Sequence, residues 1–171
     1  MKTRTAKPAD AAAIHRLIAH YSAQGLLLPR TAENVRAHLR HFLVLEENAR
    51  VAGCVALEPY GTDLAEIRSL AIDPNIRGKG LGQRLVRYAL KAARQRKIAR
   101  VFAVTHATEF FERQGFVAAA SSRAEAVPEK VARDCRTCPK ARACTLIAVV
   151  ATLIPERIAL PIFEAKPAPA V

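Results

Sequence analysis

The sequence predicts a mixed α/β fold of the α+β kind, with helices flanking a mixed central sheet, and three observations carry the prediction. Two amphipathic helical segments precede the first legible strand. A strand, a glycine-rich loop, a helix and a second strand follow one another between Ile67 and Val104, and a β-branched run closes the pattern at residues 146–153. In chain order, Asp10 is placed to cap a first helix in which Ile14, Leu17, Ile18 and Tyr21 recur at helical spacing. Gly25 to Pro29 interrupts it, and Thr31 is placed to cap a second helix with Val35 and Leu39 on one side and Arg36 and Arg40 on the other. Residues 42–45 and 51–57 read as an antiparallel hairpin turning at Asn48 and Ala49. Residues 59–63 break the chain, and residues 65–72 form a strand that Asp73 and Pro74 end. From Leu81 a long helix sets Leu85, Val86, Ala89, Leu90 and Ala93 against Arg84, Arg87, Lys91 and Arg94. It leads to a buried strand at 101–104, parallel to the strand before it. Thr108 is placed to cap a short helix that stops at Gly115, and a strand starts at Phe116.

A chain of 171 residues suits one domain, expected over residues 1–154, with the proline- and alanine-containing residues 155–171 as an extended tail. No apolar run approaches the roughly 18 residues of a membrane span, so no membrane association is expected. The first residues lack the apolar stretch of a secretory signal, which makes a cytoplasmic setting the expectation. Four cysteines in such a reducing compartment argue against a disulfide framework. The net charge of +12 raises the question of nucleic acid. Nine basic and no acidic residues lie between Pro74 and Arg100, yet a single aromatic residue, Tyr88, lies among them, short of the interleaving that a single-strand binding surface requires. A solvated helix face accounts for the distal ones, and a polyanionic ligand for Arg77, Lys79 and Arg84.

That ligand is suggested by the loop itself. Arg77, Gly78, Lys79, Gly80, Leu81 and Gly82 follow a strand and open a helix, so unhindered backbone N–H groups collect at a helix N-terminus, where an anion is favoured. No Gly-Lys-Ser/Thr ending is present, and the spacing is not that of a dinucleotide fingerprint. An ordinary tight turn explains such a loop equally well when it is taken alone.

Its surroundings narrow the reading. The pattern Arg77-x-x-Gly80-x-Gly82, preceded by residues 66–74 and followed by residues 108–116, resembles the GNAT N-acetyltransferase superfamily over roughly Arg4 to Ala118. The resemblance implies acetyl-CoA as co-substrate, with Arg77, Gly78, Lys79, Gly80, Leu81 and Gly82 at its phosphates. It also implies that Leu70, Ala71 and Ile72 offer backbone groups to the pantetheine and thioester, on a strand that splays from its neighbour. Glu66 is the candidate general base, against a purely structural pairing with Arg68. Phe111 stands where the superfamily often carries a tyrosine, which leaves water to protonate the departing thiolate.

Residues 25–31, 63–68 and 101–111 are similar to the catalytic domain of the N-acetylglutamate synthase family. This implies an amino-acid acceptor, L-glutamate first, and the first step of arginine biosynthesis. Arg30 matches a substrate-binding arginine of that family, with a helix-start surface residue as the plainer reading, and Arg68, Ser69 and Thr105 lie where the amino acid would sit. Planar arginine forks suit a substrate with two carboxylates. Other acceptors (another amino acid, a polyamine, a protein N-terminus) stay open, as does a CoA-binding sensor without catalysis; a homodimer is compatible with all of them. The segment 134–144 is similar to one in short family members that lack an amino-acid-kinase domain. Its Cys135, Cys138 and Cys144 leave zinc, an iron–sulfur cluster, a redox pair and a structural loop open, because no fourth ligand is evident. The transfer itself needs no metal.

Overall fold

A computed structural model describes residues 1–119 and 145–154. Within them lie the strands β1 (Lys2–Thr5), β2 (Phe42–Glu47), β3 (Arg50–Tyr60), β4 (Leu64–Ile72), β5 (Arg100–Thr105), β6 (Val117–Ala118) and β7 (Ile147–Thr152). The helices are α1 (Ala11–Ala23), α2 (Ala32–Ala37), α3 (Leu81–Gln95) and α4 (Thr108–Glu112). The strands form one sheet in the order β1-β2-β3-β4-β5-β7-β6. Only β4 and β5 are parallel, joined through α3, and all other pairs are antiparallel.

Alternation along β2 explains the layering. Phe42 and Val44 pack with Ile14, Ile18, Tyr21 and Val35 of α1 and α2, whereas Leu43 and Leu45 join Leu85, Val86, Ala89 and Ala93 of α3. The two helical layers thus cover opposite faces of the sheet. The apolar stripe expected on α3 is the buried one, and Arg84, Arg87, Lys91 and Arg94 are exposed. Thr31 caps α2 as expected, its hydroxyl accepting the Asn34 N–H at 3.0 Å.

Several local expectations are corrected. A strand, β1, precedes the helices; its residues Lys2 to Thr5 carry no apolar pattern, because β1 is an edge held by ladder bonds to β2 and by Arg4. Asp10 sits at the start of α1 without capping it. Its carboxylate instead accepts from the Arg4 guanidinium at 2.6 and 3.1 Å and from the Lys7 N–H at 2.6 Å. Pro59 and Tyr60 belong to β3 rather than to a break, pairing with Ala65 and Leu64. Thr108 is the first residue of α4, not its cap, and the preceding turn is closed by Thr105, whose hydroxyl accepts the Ala107 N–H. The strand β7 inserts between β5 and β6. The segment 134–144 and the tail 155–171 lie outside the described residues.

Candidate active site

The parallel pairing of β4 and β5 stops early. Leu64, Ala65 and Glu66 face Arg100, Val101 and Phe102, and beyond Glu66 the two strands have no ladder in common. From there on, β4 bonds only to β3 and β5 only to β7. Part of the cause is a bulge in β4: two residues, Ser69 and Leu70, lie between Arg68 and Ala71 where β3 has only Val55 between Cys54 and Ala56. Ser69 takes up the extra length with φ at 53°, a left-handed conformation uncommon for a residue with a Cβ. The buried Cys54 thiol, whose pKa burial pushes up to about 12, donates to the Ser69 carbonyl at 3.6 Å.

The divergence opens a cavity of about 880 Å³. Of the residues singled out from sequence, it is lined by Glu66, Arg68, Ser69, Leu70, Ala71, Ile72, Arg77, Gly78, Gly80, Leu81, Gly82 and Thr105. Lys79 does not line it. Tyr21, Leu26, Leu27, Leu28, His106 and Phe110 complete much of its wall. At one end is the N-terminus of α3, where Gly80 offers no side-chain cap, so the helix itself supplies no acceptor for its first N–H groups. Gly78 and Gly80 hold φ at 81° and 69°, where any Cβ would be strained. Nothing lies within 4 Å of a Cβ built on Gly78. The cradle is therefore open as well as glycine-dependent, and it fits a phosphate-bearing ligand. The Arg77 guanidinium lies 5.6 Å from the Tyr21 ring centroid, and the Tyr21 hydroxyl donates to the Ile72 carbonyl at 2.5 Å. One side chain of α1 thus braces both the end of β4 and the loop.

At the other end, where β4 and β5 part, is Glu66, 6% exposed. Glu58 of β3 stands directly opposite it in the ladder. Two carboxylates so placed repel, and arginines offset the repulsion. Arg68 Nη1 lies 3.3 Å from Glu58 Oε2 and 3.6 Å from Glu66 Oε2, and Arg30 Nη2 pairs with Glu58 Oε1. Arg30 is buried above the Phe42 ring, 5.5 Å from its centroid. Its Nη1 is buried without a hydrogen-bond partner. Arg30 does not line the large cavity but a polar pocket of about 390 Å³ beside it, with Thr31, Asn34, His38, Glu58 and Arg68. Arg68 lines both, so the two spaces adjoin. Burial raises the Glu66 carboxyl above its ordinary range, opposed by Arg68 and by a hydrogen bond from the Tyr60 hydroxyl. The Glu58 carboxyl is lowered, its arginines outweighing burial.

The profile of the Acetyltransferase (GNAT) family matches residues 11–116. The chain belongs to this family. An uncharacterized N-acetyltransferase of Chlorobaculum tepidum is 41% identical over 88% of this chain and 95% of its own length. The amino-acid acetyltransferase of Mycobacterium tuberculosis is 37% identical over 66% of each. Among solved structures, N-acetylglutamate synthase of Neisseria gonorrhoeae, complexed with coenzyme A and N-acetyl-glutamate, superposes with a TM-score of 0.79 at 31% identity, over 89% of this chain and 35% of that one. The chain thus spans about two thirds of the mycobacterial enzyme and about a third of the Neisseria enzyme. A mixed sheet whose parallel strands β4 and β5 part over a cavity agrees with the family's fold.

Three side chains of this acetyltransferase site escaped sequence reasoning. Tyr21 reads as one more apolar position of α1, Tyr60 as part of a chain break, and Glu58 as a residue beyond the hairpin. Each earns its place through a partner far along the chain (Ile72, Glu66 and Arg30), and no local periodicity signals such pairings.

Proposed function

We propose that this GNAT enzyme transfers the acetyl group of acetyl-CoA to the α-amino group of an amino acid, L-glutamate before others, in the cytoplasm and as the first step of arginine biosynthesis. The observation that carries the reading is the position of Glu66: a buried carboxylate where β4 and β5 part, opening on the same cavity as the uncapped N-terminus of α3. When bound, acetyl-CoA supplies the thioester: the C–N bond forms at its carbonyl carbon, the C–S bond breaks, and the thiolate leaves and takes a proton from water. The loop from Arg77 to Gly82 holds the phosphates through backbone N–H groups and the Arg77 charge. Leu70, Ala71 and Ile72 line the cavity on the part of β4 that β5 leaves unpaired, and in this reading their backbone groups serve the pantetheine and the thioester carbonyl.

Glu66 removes the proton that keeps the acceptor ammonium from attacking. Its raised carboxyl suits the task, since a base nearer neutral pH accepts the proton more readily. Arg30 and Arg68, with Ser69 and Thr105, hold the acceptor carboxylates. The glutamate preference rests on these arginines and on two of the three proteins named above, an amino-acid acetyltransferase and an N-acetylglutamate synthase, the third being an uncharacterized N-acetyltransferase.

A thiol-release assay across an amino-acid panel tests both levels. L-glutamate is expected to be the best acceptor, ahead of glutamine, and Glu66→Gln to lower turnover at neutral pH by roughly 100-fold or more. A better uncharged acceptor removes the glutamate assignment alone. Coenzyme A binding without turnover on any acceptor leaves a sensor instead of an enzyme.

A further inference from the structure

Glu66 is held from one side only. Its Oε2 accepts the Tyr60 hydroxyl at 2.9 Å and faces Arg68 Nη1 at 3.6 Å, while Oε1 carries no hydrogen bond among the described residues. Tyr60 is placed by the sheet. It ends β3 two residues after Glu58, so it shares Glu66's face, and its ring packs on Phe102 with centroids 5.7 Å apart. Phe102 is the last β5 residue to pair with β4, opposite Glu66 itself. The hydroxyl is thus fixed by packing at the point where the strands separate. Burial and the neighbouring Glu66 raise the phenol well above its ordinary range, so it stays a donor at every pH of interest.

We propose that Tyr60 is a positioning residue for acetyl transfer: its hydroxyl pins Oε2 of Glu66, stops rotation of the carboxylate and leaves Oε1 to take the acceptor's proton. The inference rests on Glu66 being the base. A carboxylate's terminal torsion is broad and nearly two-fold, so without a second anchor the oxygens exchange and Arg68 alone sets their orientation. The charged groups around Glu66 are Arg68 on its own strand, Glu58 on β3 and Arg30 ahead of α2, with His38 acting on Glu58; β5 contributes only Phe102 there. Tyr60 is the neutral donor in this set. It favours the charged form of Glu66 without adding charge.

The test is the pH dependence of kcat/KM with the full-length protein. Tyr60→Phe keeps the ring on Phe102 and removes the donor. The acid limb should move up by about one pH unit, kcat at its plateau should fall about tenfold, and coenzyme A affinity should stay within about twofold. In a Glu66→Gln background the same change should do nothing further. An unmoved limb in folded Tyr60→Phe, with a limb that Glu66→Gln does abolish, overturns the role of Tyr60 and spares Glu66. A limb that persists in Glu66→Gln removes the base and the positioning role together. Should Tyr60→Phe not fold, 3-fluorotyrosine at position 60 keeps the ring and strengthens the donor; the limb should then move down, and an unmoved limb counts equally against the proposal.

Discussion

Glu58 and Glu66 face each other across the β3–β4 ladder, yet their carboxyls are driven in opposite directions. The difference lies in what each touches. Glu58 has Arg30 on one oxygen and Arg68 on the other, whereas Glu66 has a more distant Arg68, a phenol and deeper burial. Arg30 therefore has two tasks in this reading, holding Glu58 charged and offering its unpartnered Nη1 to an acceptor carboxylate. Arg30→Ala should lower kcat/KM for L-glutamate by about 10- to 100-fold, the loss of a hydrogen bond to a charged group being about 1.5–3 kcal/mol. Acetyl-CoA affinity should hardly change, since Arg30 lines the smaller pocket. Glu58→Gln is the control, because it disturbs the ion pair and leaves the guanidinium. If Glu58→Gln reproduces the full loss, or if Arg30→Ala weakens both substrates alike, Arg30 does not bind the acceptor.

The loop between β4 and α3 shows what an element contributes beyond its residues. Gly80 precedes the helix in a left-handed conformation, while a Cβ on Gly82 would meet only the Phe110 ring, at 3.5 Å, an ordinary contact. Gly80→Ala should therefore cost about 1 kcal/mol of stability and weaken coenzyme A, whereas Gly82→Ala should cost the fold little. Gly80→Glu or Gly82→Glu should abolish binding by placing a carboxylate in the phosphate cradle; calorimetry showing unchanged affinity in a folded variant would take the loop out of the site. This element was legible in sequence because glycines ahead of an amphipathic helix act locally. So were α3, the β2–β3 hairpin and the Thr31 cap. The bulge at Ser69 was not, because neither its sequence nor its periodicity departs from an ordinary strand, and only the register against β3 exposes the extra residue. The strand β1 was equally silent, being polar throughout, and the Asp10 cap failed because Arg4, brought close by β1, outcompetes the helix for the carboxylate.

Across the whole molecule two carboxylates set opposing dependences of stability on pH. Asp10 sits in the clamp of Arg4 and Glu46 that ties β1 and the start of α1 to β2. The Arg4 guanidinium holds its carboxyl below the ordinary value of about 3.9. The folded protein thus binds this proton less readily than the unfolded chain, so the contribution of Asp10 is present above about pH 4 and is lost as pH falls through the folded value. Glu66 has the reverse sign. Burial raises its carboxyl above the ordinary value of about 4.3, so the folded state prefers the proton and stability declines as pH rises from there. Thermal melts from pH 3 to pH 8 separate the two. Asp10→Asn should be less stable than the parent at pH 7, by about 1.5–3 kcal/mol for its charged hydrogen bonds, and the difference should shrink as pH falls below about 4. Glu66→Gln should match the parent near pH 4 and exceed it increasingly above, by about 2–4 °C in Tm for each kcal/mol in a chain of this length. Such a gain in stability alongside a loss of turnover is what a buried base predicts, because the fold tolerates an unfavourable charge that the chemistry uses. If Glu66→Gln is instead less stable at pH 8, its ion pair with Arg68 outweighs its burial, and Glu66 serves the fold before the reaction.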